Sequence, residues 1–125
     1  KTKQIVTSII GHEIDTNFSL LDWFLNSEGQ VFGWSEHYWN GNTTLEWAKQ
    51  AYTMMTDWEK YAKRTVVSTN CISKYELLTI IKEVYNKDII INEDDSVKAN
   101  KCLNGQIKTT PIKEQLKELK AFYDN

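Results

Sequence analysis

The sequence predicts an α/β fold with a largely parallel sheet. Three observations carry this expectation. Short β-branched runs alternate with helical stretches along the chain. Two of the helical stretches open on capping boxes, Thr43-x-x-Glu46 and Ser73-x-x-Glu76. The first run, Gln4-Ile5-Val6-Thr7-Ser8-Ile9-Ile10, ends at Gly11 and reads as a strand buried on both faces.

In chain order, a polar loop over 11–17 follows that strand. Ser19, with Asp22 three residues on, opens a helix filled by Leu20, Leu21, Trp23, Phe24 and Leu25, which stops near Gly29. Residues 30–39 hold Val31, Phe32, Trp34, Tyr38 and Trp39 and read as one extended segment or two short ones. Asn40-Gly41-Asn42 is a turn signal. The helix capped by Thr43 is expected to run to about Ala62. It carries two apolar stripes, Leu45, Ala48, Tyr52 and Met55, and Trp47, Ala51, Met54, Trp58 and Tyr61. A helix apolar on two stripes is deeply packed or presents one stripe to a partner.

Arg64-Thr65-Val66-Val67-Ser68-Thr69 is a second strand. The helix capped by Ser73 aligns Leu77, Leu78, Ile81, Val84 and Tyr85, and Ile89-Ile90-Ile91 is a third strand. Glu93-Asp94-Asp95 is expected to begin a polar loop lasting to about Thr110. Pro111 then sets a last helix, at a first-turn position where its missing N–H costs nothing, with Ile112, Leu116, Leu119 and Tyr123 as the apolar stripe.

The chain has 125 residues and 14.6 kDa, enough for one domain or part of one. A net charge of −2 and a pI near 5.7 lack the basic balance of a nucleic-acid module. No apolar run approaches the roughly 18 residues that span a bilayer. The chain begins at Lys1, not Met, and reads as a fragment or processed product; no signal peptide is visible in it. Cys71 and Cys102 can pair, but two isolated cysteines in a core-competent chain read first as free thiols in a reducing compartment.

Most chemistry-bearing patterns are missing. His12-Glu13 and Glu36-His37 are the only His–carboxylate neighbours. Adjacent strand residues point to opposite faces, so neither pair is a ligand pair, and no metal site is expected. There is no Gly-x-Gly-x-x-Gly, no phosphate-cradling Gly-x-x-x-x-Gly-Lys-Ser/Thr and no Gly-x-Ser-x-Gly elbow. Cys71 precedes a helix start, which favours a thiolate, but no His lies close in sequence to serve as its base. The acidic run 93–95 reads as a solvated loop. The most distinctive stretch is 33–44, where Trp34, His37, Tyr38 and Trp39 sit beside Asn40, Asn42, Thr43 and Thr44. Aromatic faces beside amides and hydroxyls suit a sugar ring, and equally suit a twisted strand with core aromatics.

Four stretches in order carry a resemblance: Val6-Thr7-Ser8-Ile9-Ile10-Gly11-His12-Glu13, Ser19-Leu20-Leu21-Asp22-Trp23-Phe24-Leu25, Tyr38-Trp39-Asn40-Gly41-Asn42-Thr43-Thr44-Leu45-Glu46 and Ile72-Ser73-Lys74-Tyr75-Glu76-Leu77-Leu78. Together they resemble the C-terminal half of extended short-chain dehydrogenase/reductases, with the flavour of nucleotide-sugar reductases and epimerases such as dTDP-4-dehydrorhamnose reductase. The resemblance covers nearly the whole chain and implies that residues 1–125 are a single C-terminal substrate-binding portion, with partial Rossmann-like sheet strands plus a small α/β substrate-binding subdomain. It implies a parent with an N-terminal Rossmann core, a glycine-rich NAD(P) loop and a catalytic Tyr-x-x-x-Lys. This chain has neither motif; Tyr61-Ala62-Lys63 and Tyr75-Glu76-Leu77 do not fit the spacing.

The resemblance places substrate contacts on Asn17 and Phe18 at the helix start after the first strand, on Trp39, Asn40 and Thr43 before the next helix, and on Lys101 in the late loop. Family members more often carry Arg at that last place; Lys gives a point charge instead of a bidentate fork. The implied function is the substrate half of a cytoplasmic, NAD(P)-dependent nucleotide-sugar reductase or epimerase of polysaccharide biosynthesis. Alone it has no catalytic residue and no cofactor. The implied partners are a nucleotide-sugar substrate and either a second copy or the missing N-terminal half, with no nucleic acid and no membrane. The alternatives are a non-enzymatic carbohydrate- or protein-binding module using the aromatic segment 34–47, and a truncated relative whose role is assembly alone.

Overall fold

A computed structural model describes residues 2–11 and 19–124. In chain order these form β1 (Gln4–Val6), β2 (Ile9–Ile10), α1 (Leu20–Asn26), β3 (Gln30–Trp39), β4 (Asn42–Thr43), α2 (Thr44–Thr56), a 3-10 turn (Trp58–Lys60), β5 (Arg64–Ser68), β6 (Ile72–Ser73), α3 (Lys74–Tyr85), β7 (Ile90–Asn100), β8 (Ile107–Lys108) and α4 (Ile112–Asp124). The fold is mixed α/β. Its pairings among the described residues are parallel with one exception. β1, β5 and β8 form one parallel sheet, β2 and β4 a second, and β3 lies between parallel β7 and antiparallel β6 in a third. No helix of the described residues is long and apolar enough to cross a membrane.

The capping residues fix the helix starts. The side-chain oxygens of Ser19, Thr43 and Ser73 accept from the backbone N–H groups of Asp22, Glu46 and Glu76 at 3.3, 3.1 and 3.1 Å. Each satisfies a donor that the first helical turn leaves open. Asn86, in the left-handed region at φ 51°, closes α3. Leu21 and Phe24 of α1, Leu77, Leu78 and Ile81 of α3, and Ile112, Leu116 and Leu119 of α4 pack with Val31 and Trp39 of β3 into one buried cluster.

Several expectations change. The first strand breaks into β1 and β2, which pair with different partners. At the break Asn42 donates from its backbone to Ser8 O and from its amide to Thr7 Oγ1, both at 2.8 Å. The 40–42 segment, read as a turn signal, is a buried connector between β3 and β4. A Cβ on Gly41 would stand 2.4 Å from Ser8 O, so this approach admits only glycine. The long helix ends at Thr56, not near Ala62, because Asp57 leaves helical geometry at φ −138°, ψ 54°. Tyr123 lies exposed beyond the buried stripe of α4.

The largest change is β7. Glu93, Asp94 and Asp95 lie in an eleven-residue strand, not a loop. β7 is an edge strand held by backbone pairing to β3, and such a strand can carry charge on its solvent side without showing an apolar period. Near its middle the register shifts: Ser35 alone faces Asp95, Ser96 and Val97. Asp94 Oδ1 accepts from Ser96 N–H at 2.9 Å there, and these hydrogen bonds from Ser96 hold the Asp94 carboxyl below its ordinary range.

The cysteines are joined, which corrects the free-thiol reading. Cys71 and Cys102 form a disulfide with Cα atoms 5.9 Å apart. Asn40 bonds Leu103 with its side chain and accepts from Thr69 N–H with its carbonyl, and together these draw the segment after β7 against the loop between β5 and β6. Such proximity comes from tertiary contacts that a spacing of 31 residues does not encode.

A buried polar cluster joins two of the three sheets, β1–β5–β8 and β2–β4, to α4. Gln115, 1% exposed, accepts from Thr43 N–H at 2.9 Å. Its amide donates to Asn42 Oδ1 at 3.0 Å and Thr110 O at 2.6 Å, with Thr109 Oγ1 at 3.2 Å. Asn42 in turn donates to Val67 O at 3.2 Å. Gln115→Leu strands the Thr43 N–H inside the protein, while the Thr110 carbonyl keeps the Thr69 hydroxyl. The expected loss is about 1–3 kcal/mol, read as a lower urea midpoint. Lys49→Met, which removes an exposed pair with Glu118, should cost well under that. The disulfide gives a second test. Thiol titration of the folded chain should find no free thiol before treatment with a dithiol reductant and two after it, with a loss on the order of 3–4 kcal/mol.

Candidate functional site

Where β2, α1, β3 and α3 converge, two clefts adjoin. The first holds about 280 Å3 and is lined by Ile9 and Ile10 of β2, Ser19 and Leu20 at the start of α1, Trp39 at the end of β3, and Lys74 and Leu77 of α3. The second holds about 330 Å3 and is lined by Leu20, Trp23, Phe32, Gly33, Trp34, Lys74 and Leu78. Leu20 and Lys74 belong to both and stand between them.

Local structure explains the arrangement. A Cβ on Gly33 would lie 2.8 Å from the Cα of Tyr75, so glycine lets the first turn of α3 rest directly on β3. That contact seats Lys74, the first residue of α3, in the corner. Before the register shift, β3 turns Val31 and Gly33 inward and leaves Phe32 and Trp34 outward, where they wall the second cleft.

Lys74 is the chemically distinctive group. Its ammonium lies 5.7 Å from the centroid of the Trp39 ring. No carboxylate or hydrogen-bond acceptor of the described residues partners it, whereas Lys49, Lys98, Lys113, Lys117 and Lys120 all pair with carboxylates. Burial pushes its pKa below the ordinary 10.5, because desolvation penalises the charged form. Its position at the first turn of a helix is also one that the helix dipole disfavours for a cation. That placement was the only signal in the sequence that could have singled it out; Ser73-Lys74 reads there simply as a capped start.

The residues implied by resemblance are placed differently from one another. Trp39, 7% exposed, walls the first cleft. Asn40, 3% exposed, spends its whole side chain on the backbone of Leu103, donating to its O and accepting from its N, both at 2.8 Å. Thr43 is fully buried, with its hydroxyl capping α2 and its N–H on Gln115. Lys101 is exposed and donates its backbone N–H to Tyr38 O at 2.9 Å. Asn17 and Phe18, with His12 and Glu13, lie outside the described residues. The fold therefore brings Trp39 to the cleft and uses Asn40 and Thr43 to hold neighbouring segments. Sequence reasoning did not find Lys74, Leu20, Trp23 or Phe32 as site residues.

The chain matches no protein-family model, no curated protein and no solved structure at a significant level.

A half-buried cation without a carboxylate costs stability. At neutral pH Lys74 is charged in both folded and unfolded chains, so the folded state bears the whole desolvation penalty. The penalty fades as pH rises through the lowered folded pKa toward 10.5. Lys74→Met should therefore raise the urea midpoint at pH 7, and the gain should shrink above pH 10. A lower midpoint at pH 7 would contradict this account.

Proposed function

We propose that this chain is the substrate-binding half of an NAD(P)-dependent nucleotide-sugar reductase or epimerase, resembling the C-terminal half of extended short-chain dehydrogenase/reductases. The observation that carries the reading is the double cleft itself: an ammonium set between an aromatic-walled apolar hollow and a more polar one. That combination suits a ligand with a flat ring, an anionic middle and a hydroxylated end, which describes a nucleotide sugar. The parallel sheet of β1, β5 and β8 supports the Rossmann-like part of the reading, as late strands of a nucleotide-binding sheet.

In this reading the glycine-rich loop and the Tyr-x-x-x-Lys belong to a preceding half, which would bind NAD(P) and carry out hydride transfer. The residues here bind and orient substrate. Nucleotide-sugar chemistry favours a cytoplasmic location, whereas the Cys71–Cys102 disulfide favours an oxidising compartment. The exposed Trp47, Tyr52 and Met55 of α2 are taken as a face for the preceding half or a second copy. A carbohydrate-binding module is the second reading, favoured by the outward Phe32 and Trp34 on β3.

Tryptophan fluorescence separates the two, because Trp23, Trp34 and Trp39 line the clefts. Thymidine- or uridine-diphosphate sugars should quench or shift the emission saturably, while free oligosaccharides should not. No NADPH oxidation should accompany binding by these 125 residues alone. Tight binding of an uncharged glycan with no response to nucleotide sugars would move the assignment to the second reading.

A further inference from the structure

We propose that Lys74 is the phosphate anchor of this site, its ammonium holding a diphosphate at the junction of the two clefts while the nucleobase stacks in the hollow walled by Trp23, Phe32 and Trp34. The inference rests on the nucleotide-sugar reading and deepens it by assigning the anionic contact and the direction in which the ligand lies.

Among the cations of the described residues, Lys60, Lys63, Arg64, Lys82, Lys101 and Lys108 also pair with no carboxylate, but Lys74 alone lines these clefts. Five lysines are paired with carboxylates on the surface. Lys87 donates to Leu25 O at 2.9 Å, and Lys3 donates to the carbonyls of Trp58 and Tyr61. Lys74 lies beside the Trp39 ring, pairs with no carboxylate among the described residues and lines both clefts. A cation withdrawn from water without an acceptor is stabilised by an anion that supplies the missing charge, and a phosphate offers several oxygens to its three N–H donors. Lys101, which the family resemblance puts in this role, is exposed on the segment after β7 and lines neither cleft.

The two hollows differ in character, and this sets the orientation. The one under Trp23, Phe32 and Trp34 is walled by aromatic rings and by Leu20 and Leu78, so it accepts a flat base by stacking. The one under Trp39 carries the Ser19 hydroxyl, which donates to Gly11 O and caps α1, so its remaining lone pair offers a sugar hydroxyl an acceptor. Lys74 between them meets the diphosphate that links base-bearing and sugar-bearing ends.

The test titrates the chain with thymidine diphosphate, thymidine and inorganic pyrophosphate, read by tryptophan fluorescence, for the wild type and for Lys74→Met, Lys74→Arg and Lys101→Met. Thymidine diphosphate should bind the wild type roughly tenfold or more tightly than thymidine. Lys74→Met should abolish that difference and Lys74→Arg should keep most of it. Thymidine diphosphate binding that survives Lys74→Met unchanged, or a loss confined to Lys101→Met, overturns the assignment and leaves the nucleotide-sugar reading standing. Pyrophosphate binding lost in Lys74→Met, without any response to the nucleotide, keeps the anion site and overturns the nucleotide-sugar reading. No binding of either anion overturns both. Lys74→Met removes a buried charge and keeps the side-chain volume, so its fold is expected to survive.

Discussion

The amide of Gln115 is the contact on which the rest of the molecule depends. It sits in the first turns of α4 and reaches the junction where β4 becomes α2. Through Asn42 the same cluster touches the β1–β2 break and β5, and through Thr109 and Thr110 it touches the end of β8. Three short sheets with few strands each would be marginal alone. The hydrogen bonds of this cluster fix the β1–β5–β8 and β2–β4 sheets against α4, because any displacement leaves the buried groups of Asn42, Thr43 and Gln115 unpaired. The apolar cluster around Phe24, Leu78 and Leu116 supplies most of the burial, but it is non-directional and would tolerate sliding.

That division of labour explains why the site is where it is. Trp39 closes β3, Asn40 is committed to Leu103, Gly41 presses on Ser8, and Asn42 and Thr43 belong to the Gln115 cluster. Five consecutive residues thus have fixed neighbours, and the Trp39 ring is held rigidly as a wall. The opposite wall comes from α1 and α3, set by the Ser19 and Ser73 caps and by the approach of α3 to Gly33. Binding surfaces built on such fixed elements lose little conformational freedom when a ligand arrives.

How much of this was legible depends on whether the determining physics is local. Helix starts were legible because a cap involves residues three apart. The core stripes of α3 and α4 were legible because helical periodicity is local too. β7 was illegible because an edge strand needs only backbone partners, so residues such as Glu93 and Asp95 give it the composition of a loop. The Thr7–Ser8 break was hidden because Asn42, far along the chain, causes it. The joining of Cys71 to Cys102 was hidden for the same reason. Of the residues implied by resemblance, Trp39 lines one of the clefts. Asn40 and Thr43 have the chemistry of ligand contacts, but their groups are consumed internally. Lys74 looked like an ordinary solvated lysine, and only the close packing at Gly33 draws it inward.

The register shift between β3 and β7 has a bearing on how this protein can change length. Ser35 faces three residues of β7, so the edge strand carries two residues more than its partner at that point. Two is an even number, and side chains in a strand alternate with period two. Faces that point inward before the shift therefore point inward after it, and pairing resumes from Glu36 with Lys98 to Tyr38 with Asn100. The bulge acts as a length buffer that admits insertions or deletions in pairs. A change of one residue would turn every side chain of one half of β7 to the opposite face. Relatives that diverge here are expected to differ by even steps, and a designer lengthening the strand has the same arithmetic to respect.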